Sequence, residues 1–165
     1  MITDAVLKLA RTNVQARFEM RDQELHKELD QVVAIAARES YGEDEGRVSV
    51  KVRLLCESDL NQRASTAWIA LRKSHHDTDG VQFPGLQREL LTIMEGYMRD
   101  GALRLASQLR GRAEDLKQAF TGAGAIDAEW IAKRRRSAIE QQAQSIDDYV
   151  RQLPKESVVK GLIRR

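Results

Sequence analysis

The chain has 165 residues, of which 42% are apolar, 32% charged and only 5% aromatic, with two prolines and one cysteine. This balance excludes a disordered chain, a β-sandwich and a disulfide scaffold, and favours a single helical domain with broad solvated faces. Net charge is only +2, but residues 1–46 hold 6 Lys or Arg against 10 Asp or Glu, whereas residues 151–165 hold 5 against 1. An acidic start and a basic tail either attract one another or leave the tail for an external polyanion.

No continuous apolar leader follows Met1, because Asp4 interrupts at once, and the longest apolar run covers only residues 32–37. A spanning helix needs roughly 20 apolar residues, so a cytoplasmic protein without membrane contact is the expectation. Lone Cys56 fits a reducing compartment.

In chain order, Leu7, Val14, Phe18, Leu25, Leu29, Val32 and Ala36 recur at helical spacing. At about 100° per residue they fall within about 80° of one another, a narrow stripe on one long helix over residues 3–40. Arg11, Arg21 and Asp22 are polar gaps beside that stripe, which therefore resembles a coiled-coil seam seeking a helical partner. Such a helix extends about 50 Å at 1.5 Å per residue, a length that suggests a homo-oligomer or a protein partner in a larger assembly.

Residues 41–46, with two glycines and an acidic cluster, read as a loop. Val48, Val50, Val52 and Leu54 then alternate with Ser49, Lys51, Arg53 and Leu55, a β-branched pattern of period two that argues for a small β element near 47–56. Its partner would lie at 66–71 or 81–83, or in another subunit, giving a β insertion within 47–83. Val48, Val52, Leu55 and Cys56 also sit at helical spacing, but the strand is the favoured reading. Ser58 or Asp59 caps a short helix over 59–74, residues 75–80 form a turn, and Phe83-Pro84-Gly85 is a hard break.

From Leu86 a helical stripe of Leu90, Ile93, Met94 and Tyr97 gives way, near Asp100-Gly101, to a second stripe of Leu105, Leu109, Leu116 and Phe120. The two differ by about 110°, so the helix either breaks at Gly101 or continues past different neighbours. Residues 121–125 end the element, and Asp127 caps a last helix that reaches Leu153 before Pro154. The fold expected is mainly α: an elongated bundle or coiled-coil-like hairpin of four to five helices, with residues 1–153 as one domain and 154–165 as a basic tail.

Several clusters carry candidate chemistry. Lys133-Arg134-Arg135-Arg136 is basic, but four consecutive helical positions span about 300° and cannot all face one phosphate backbone. Arg135 falls near the centre of the stripe of Ile131, Ala138, Ile139 and Ile146, where it must snorkel, pair with a carboxylate or mark the point where the stripe stops being buried. Gln142, in the same stripe, is of the kind that can set helix register. Trp130 points away from it, which suggests a second contact surface or packing under the preceding loop. The tail pairs Val158, Val159, Leu162 and Ile163 with Lys160, Arg164 and Arg165, as a docking segment would.

His75-His76-Asp77 has metal-ligand residue types without ligand spacing, and Gly122-Ala-Gly124 follows a helix rather than a strand, so neither a metal nor a cofactor is expected. No catalytic motif is present. The reading that results is a non-enzymatic interaction subunit that uses Leu7, Val14, Phe18, Leu25, Leu29, Val32, Trp130, Arg135 and the apolar tail residues. The alternative is a helical subunit that grips nucleic-acid backbone through Arg110, Arg112, Lys133, Arg134, Arg136, Lys160, Arg164 and Arg165.

Overall fold

The computed structural model describes residues 1–39, 45–78, 80–121 and 125–155. Four helices occupy most of them: α1 (Asp4–Glu39), α2 (Glu45–Thr78), α3 (Leu86–Arg110) and α4 (Ala128–Gln152), with a 3-10 turn at Lys117–Phe120. A helical bundle, as expected from composition and periodicity, is the fold observed.

The α1 stripe finds its partner inside the same chain. Val6, Ala10, Val14 and Phe18 join Ala67, Trp68 and Leu71 of α2, Leu86, Leu90 and Met94 of α3, and Ile146, Tyr149 and Val150 of α4 in one apolar core. Leu25 and Leu29 join Val48, Val52, Cys56, Leu60 and Ala64 of α2, Leu105 and Leu109 of α3, and Ala138 and Ile139 of α4 in a second. Early α1 thus meets late α2, so the two helices run antiparallel. Leu25 and Leu29 are fully buried, and each such side chain contributes about 1.5–3 kcal/mol of transfer free energy. α2 and α3 form the middle of the bundle; no Cα of α1 comes within 8 Å of one in α4 among the described residues.

Residues 47–56 are helical, which corrects the strand expected there. The period-two pattern is two helical series laid over one another. Val48 and Val52 continue inward through Cys56 and Leu60, whereas Val50 and Leu54 point outward at 52% and 61% exposure. Packing of the inward series outweighs the modest β preference of valine. Of the strand partners considered, 66–71 lies within α2, and residues 81–83 supply only an isolated parallel bridge from Gln82 to Lys155. The turn expected at 75–80 is also displaced, since α2 runs to Thr78 and Gly80, at φ 52°, donates its N–H to the His75 carbonyl at 2.8 Å. Gly80 is the left-handed residue that closes a helix C-terminus.

α3 passes Gly101 unbroken and ends at Arg110, short of the expected 120. Its stripe shifts because Leu86, Leu90 and Met94 serve the first core, and Leu105 and Leu109 the second. Leu116 and Ala119, beyond the helix, close the end of the second core. The Asp127 carboxylate accepts from the Trp130 N–H at 2.7 Å, the cap expected for α4.

Candidate functional site

Between the two apolar cores lies a layer of charge. Arg21 and Asp22 project from α1, Asp59 and Arg63 from α2, and Arg104 from α3. On α2 this placement follows from spacing: Asp59 and Arg63 share one face with Cys56, Leu60, Ala64 and Ala67, all fully buried. Asp59 is 0% and Arg63 1% exposed.

Each Asp59 oxygen accepts one arginine: Oδ1 takes Arg21 Nε–H at 2.8 Å, and Oδ2 takes Arg63 Nε–H at 2.7 Å. Asp22 does the same across three helices, Oδ1 accepting from Arg63 Nη2 and Oδ2 from Arg104 Nη1, both at 2.7 Å. The rim is finished by Glu28, which accepts from Arg21 Nη2 at 2.7 Å, and Asp100, which accepts from Arg104 Nε at 3.0 Å. Burial by itself would lower the pKa of Arg21, but hydrogen bonds and attraction to Glu28 and Asp59 outweigh it and hold the group above its ordinary value. Hydrogen bonding to Asp22 is the leading cause of the same upward shift at Arg104.

The layer closes against a glycine. A Cβ at position 101 would lie 3.0 Å from Arg63 Cδ and 3.1 Å from Phe18 Cε2. Arg63 Cζ in turn stands 5.1 Å from the Phe18 ring centroid, within cation–π range. Arg63 Nη1, buried, has no hydrogen-bond partner among the described residues.

At the centre of the layer Asp59 is closed off by its own partners. A general base needs a lone pair within reach of substrate, and both Asp59 oxygens are occupied in a fully buried position. The layer joins three helices, with the Asp59 carboxylate committed to two arginines.

A second polar cluster ties α2 to α4. His75 Nδ1 lies 2.7 Å from Tyr149 Oη, Trp68 Nε1–H donates to Ser145 Oγ at 2.9 Å, and the Trp68 and Tyr149 rings meet edge to face at 5.6 Å. Burial pushes the Tyr149 phenol up to about 12, so it stays protonated at neutral pH. His75 is buried while His76 is exposed, and no three His, Cys, Asp or Glu side chains converge on a metal position among the described residues.

The structure distributes the expected contact residues widely. Val14, Phe18, Leu25 and Leu29 are buried within the chain, and Leu7 and Val32 pack against the cores from partly exposed positions. Trp130 packs against the second core, with Arg134 Cζ 5.5 Å over its ring, while Arg134 Nη1 donates to Glu57 Oε1 at 3.1 Å. Trp130 is half-buried in that position. Arg135 and Gln142 are half-buried.

Arg112 is buried: Nε and Nη2 donate to Asp30 Oδ1 at 3.0 and 2.7 Å, and Nη1 donates to the Gln108 carbonyl at 3.2 Å. Arg110, Lys133 and Arg136 are exposed. Val158, Val159, Lys160, Leu162, Ile163, Arg164 and Arg165, like the 41–44 and 122–124 segments, lie outside the described residues.

Sequence reasoning missed the layer itself. Asp59 was an N-cap candidate in that reading and is instead mid-helix and fully buried. A signal was present, because Asp59 and Arg63, four apart, fall on the inward apolar face of α2. Comparisons with family models, with curated proteins and with solved structures find no match to this chain.

Proposed function

We propose that this protein is a non-catalytic helical interaction subunit, contacting copies of itself or a protein partner through the outside of the bundle. The observation that carries this reading is Val50 and Leu54, one turn apart on the outward side of α2 and more than half exposed. The α1 stripe, first considered as the seam, is largely occupied by the chain's own α2 and α3. A contact between chains must therefore use other apolar groups, and this pair lies together on one helix. The pairing of Asp59 with Arg21 and Arg63 in the interior also fits a subunit whose chemistry is structural.

The test is mass in solution. Light scattering of the wild-type chain is expected to give a dimer or larger species, and the Val50→Ser/Leu54→Ser double variant a smaller one that keeps its helical content, because neither side chain belongs to the chain's own cores. A wild-type monomer at high concentration, with the same mass for the double variant, would overturn self-association.

The alternative, a grip on nucleic-acid backbone, draws less support. Of its five described arginines and lysines, Arg112 and Arg134 are engaged with Asp30 and Glu57, leaving Arg110, Lys133 and Arg136 exposed. Steeply salt-dependent binding to duplex DNA that weakens in a Lys133→Ala/Arg136→Ala variant would favour it over the first reading.

A further inference from the structure

We propose that the buried ionic layer is a register lock, which holds α1, α2 and α3 in one lengthwise alignment and excludes slipped alternatives of similar apolar content. The need for such a device follows from what lies above and below it. Val6, Ala10 and Val14 on one side and Leu25 and Leu29 on the other face alanines, valines and leucines of α2. Apolar contact is non-directional, so a displaced α1 keeps much of its buried area. Charge is less tolerant. A slip of about seven residues one way, a coiled-coil repeat, sets Glu28 and Leu29 where Arg21 and Asp22 now stand. Asp59 then faces a second carboxylate, and Arg63 loses an acceptor to a leucine. The opposite slip sets Val14 and Gln15 there, which strips Asp59 of one arginine and Arg63 of a carboxylate. A buried charge without its partner is strongly unfavourable.

Gly101 adds a steric condition at the same level. Phe18 and Arg63 reach α3 where a Cβ would already lie 3.0–3.1 Å away, and a slip by one turn or one repeat puts Tyr97, Leu105, Met94 or Gln108 in that place. The unpartnered Nη1 of Arg63 fits the same account, since the layer accepts an imperfectly satisfied group to keep its geometry. Charge and shape select one alignment.

The test separates alignment from stability. Spin labels at Glu19→Cys on α1 and Lys73→Cys on α2, both exposed positions, are placed in a Cys56→Ala background and their separation is measured by pulsed electron resonance. The unaltered layer should give one narrow distance. The triple variant Arg21→Met/Asp59→Leu/Arg63→Met leaves Asp22 paired to Arg104 and Glu28 half-open to solvent. It should remain helical and melt at the same or higher temperature, yet show additional distances displaced by up to about 5 or 10 Å, the axial slip of one turn or one repeat at 1.5 Å per residue. A single distance identical to that of the unaltered layer would overturn the proposal. If the triple variant fails to fold, Asp22→Asn/Asp59→Asn in the same labelled chain decides, since both carboxylates that bridge the helices are then lost: a second distance supports the lock and an unchanged single one overturns it.

Discussion

Gly101 of α3 abuts the ring of Phe18 of α1 so closely that a Cβ at 101 would lie 3.1 Å from Phe18 Cε2. Another glycine in the same helix, Gly96, has nothing within 4 Å of its Cβ position. Replacement by alanine should therefore have opposite signs at the two sites. At Gly96 the gain in helix propensity, about 0.5–1 kcal/mol, is unopposed. At Gly101 the overpacking of Phe18 and Arg63, about 1–3 kcal/mol, should exceed that gain and leave the protein less stable. Urea denaturation of the two variants checks the pair.

The two classes of ion pair should differ as sharply. Asp59→Ala leaves Arg21 and Arg63 without the carboxylate they share, and breaking a buried pair typically costs about 3–5 kcal/mol. Arg134→Ala removes the bond to Glu57 between side chains that are 39% and 36% exposed, for which about 0–1 kcal/mol is expected after solvent screening. Raising salt should weaken the second contribution and leave the first nearly intact.

Leu25→Ala and Leu29→Ala should each cost about 2–5 kcal/mol, because both side chains are fully buried beside the layer. Calorimetry measures the loss. An unchanged melting temperature for either variant would show that the second core is not packed as described.

Alkaline pH should destabilise the fold in two overlapping steps. Burial raises the Cys56 thiol from 9.0 to about 12 and the Tyr149 phenol from 10.0 to about 12. Both groups are acids that the folded state keeps protonated after the unfolded chain has released its protons. Folded protein thus binds more protons than unfolded protein between pH 9 and 12, and stability falls as pH rises through that window. Cys56→Ala should flatten the decline from about pH 9 and Tyr149→Phe from about pH 10. Denaturant titrations across the range would read both slopes.

Much of the helical outline was legible because it depends on local signals. The stripe on α1, the Asp127 cap and the Pro84-Gly85 break each act within a few residues of themselves. Residues 47–56 misled because β-branched side chains obey a weak local preference, and α2 overrides it only through packing on α1, α3, α4 and the 3-10 turn. The ionic layer was harder still. Arg21 and Asp22 stood out as polar gaps, but their partners lie at Asp59, Arg63 and Arg104; Asp59 and Arg63 share one face of α2, yet no local periodicity joins that face to residues 21, 22 and 104. Burial of the α1 stripe by the chain's own helices was equally unreadable, since a narrow seam looks the same whether its partner is within the molecule or outside it.

The two oxygens of Asp59 give each arginine a hold on the same atom group, so no one of residues 21, 59 and 63 is independent of the other two. A change at any single position breaks at least one buried ion pair, whereas a joint exchange to apolar residues of similar volume removes these three charges together and leaves Asp22 with Arg104. Mutational routes across this layer therefore pass through less stable intermediates. In related chains the three positions should be inherited as a set, arginine, aspartate and arginine together or all three replaced.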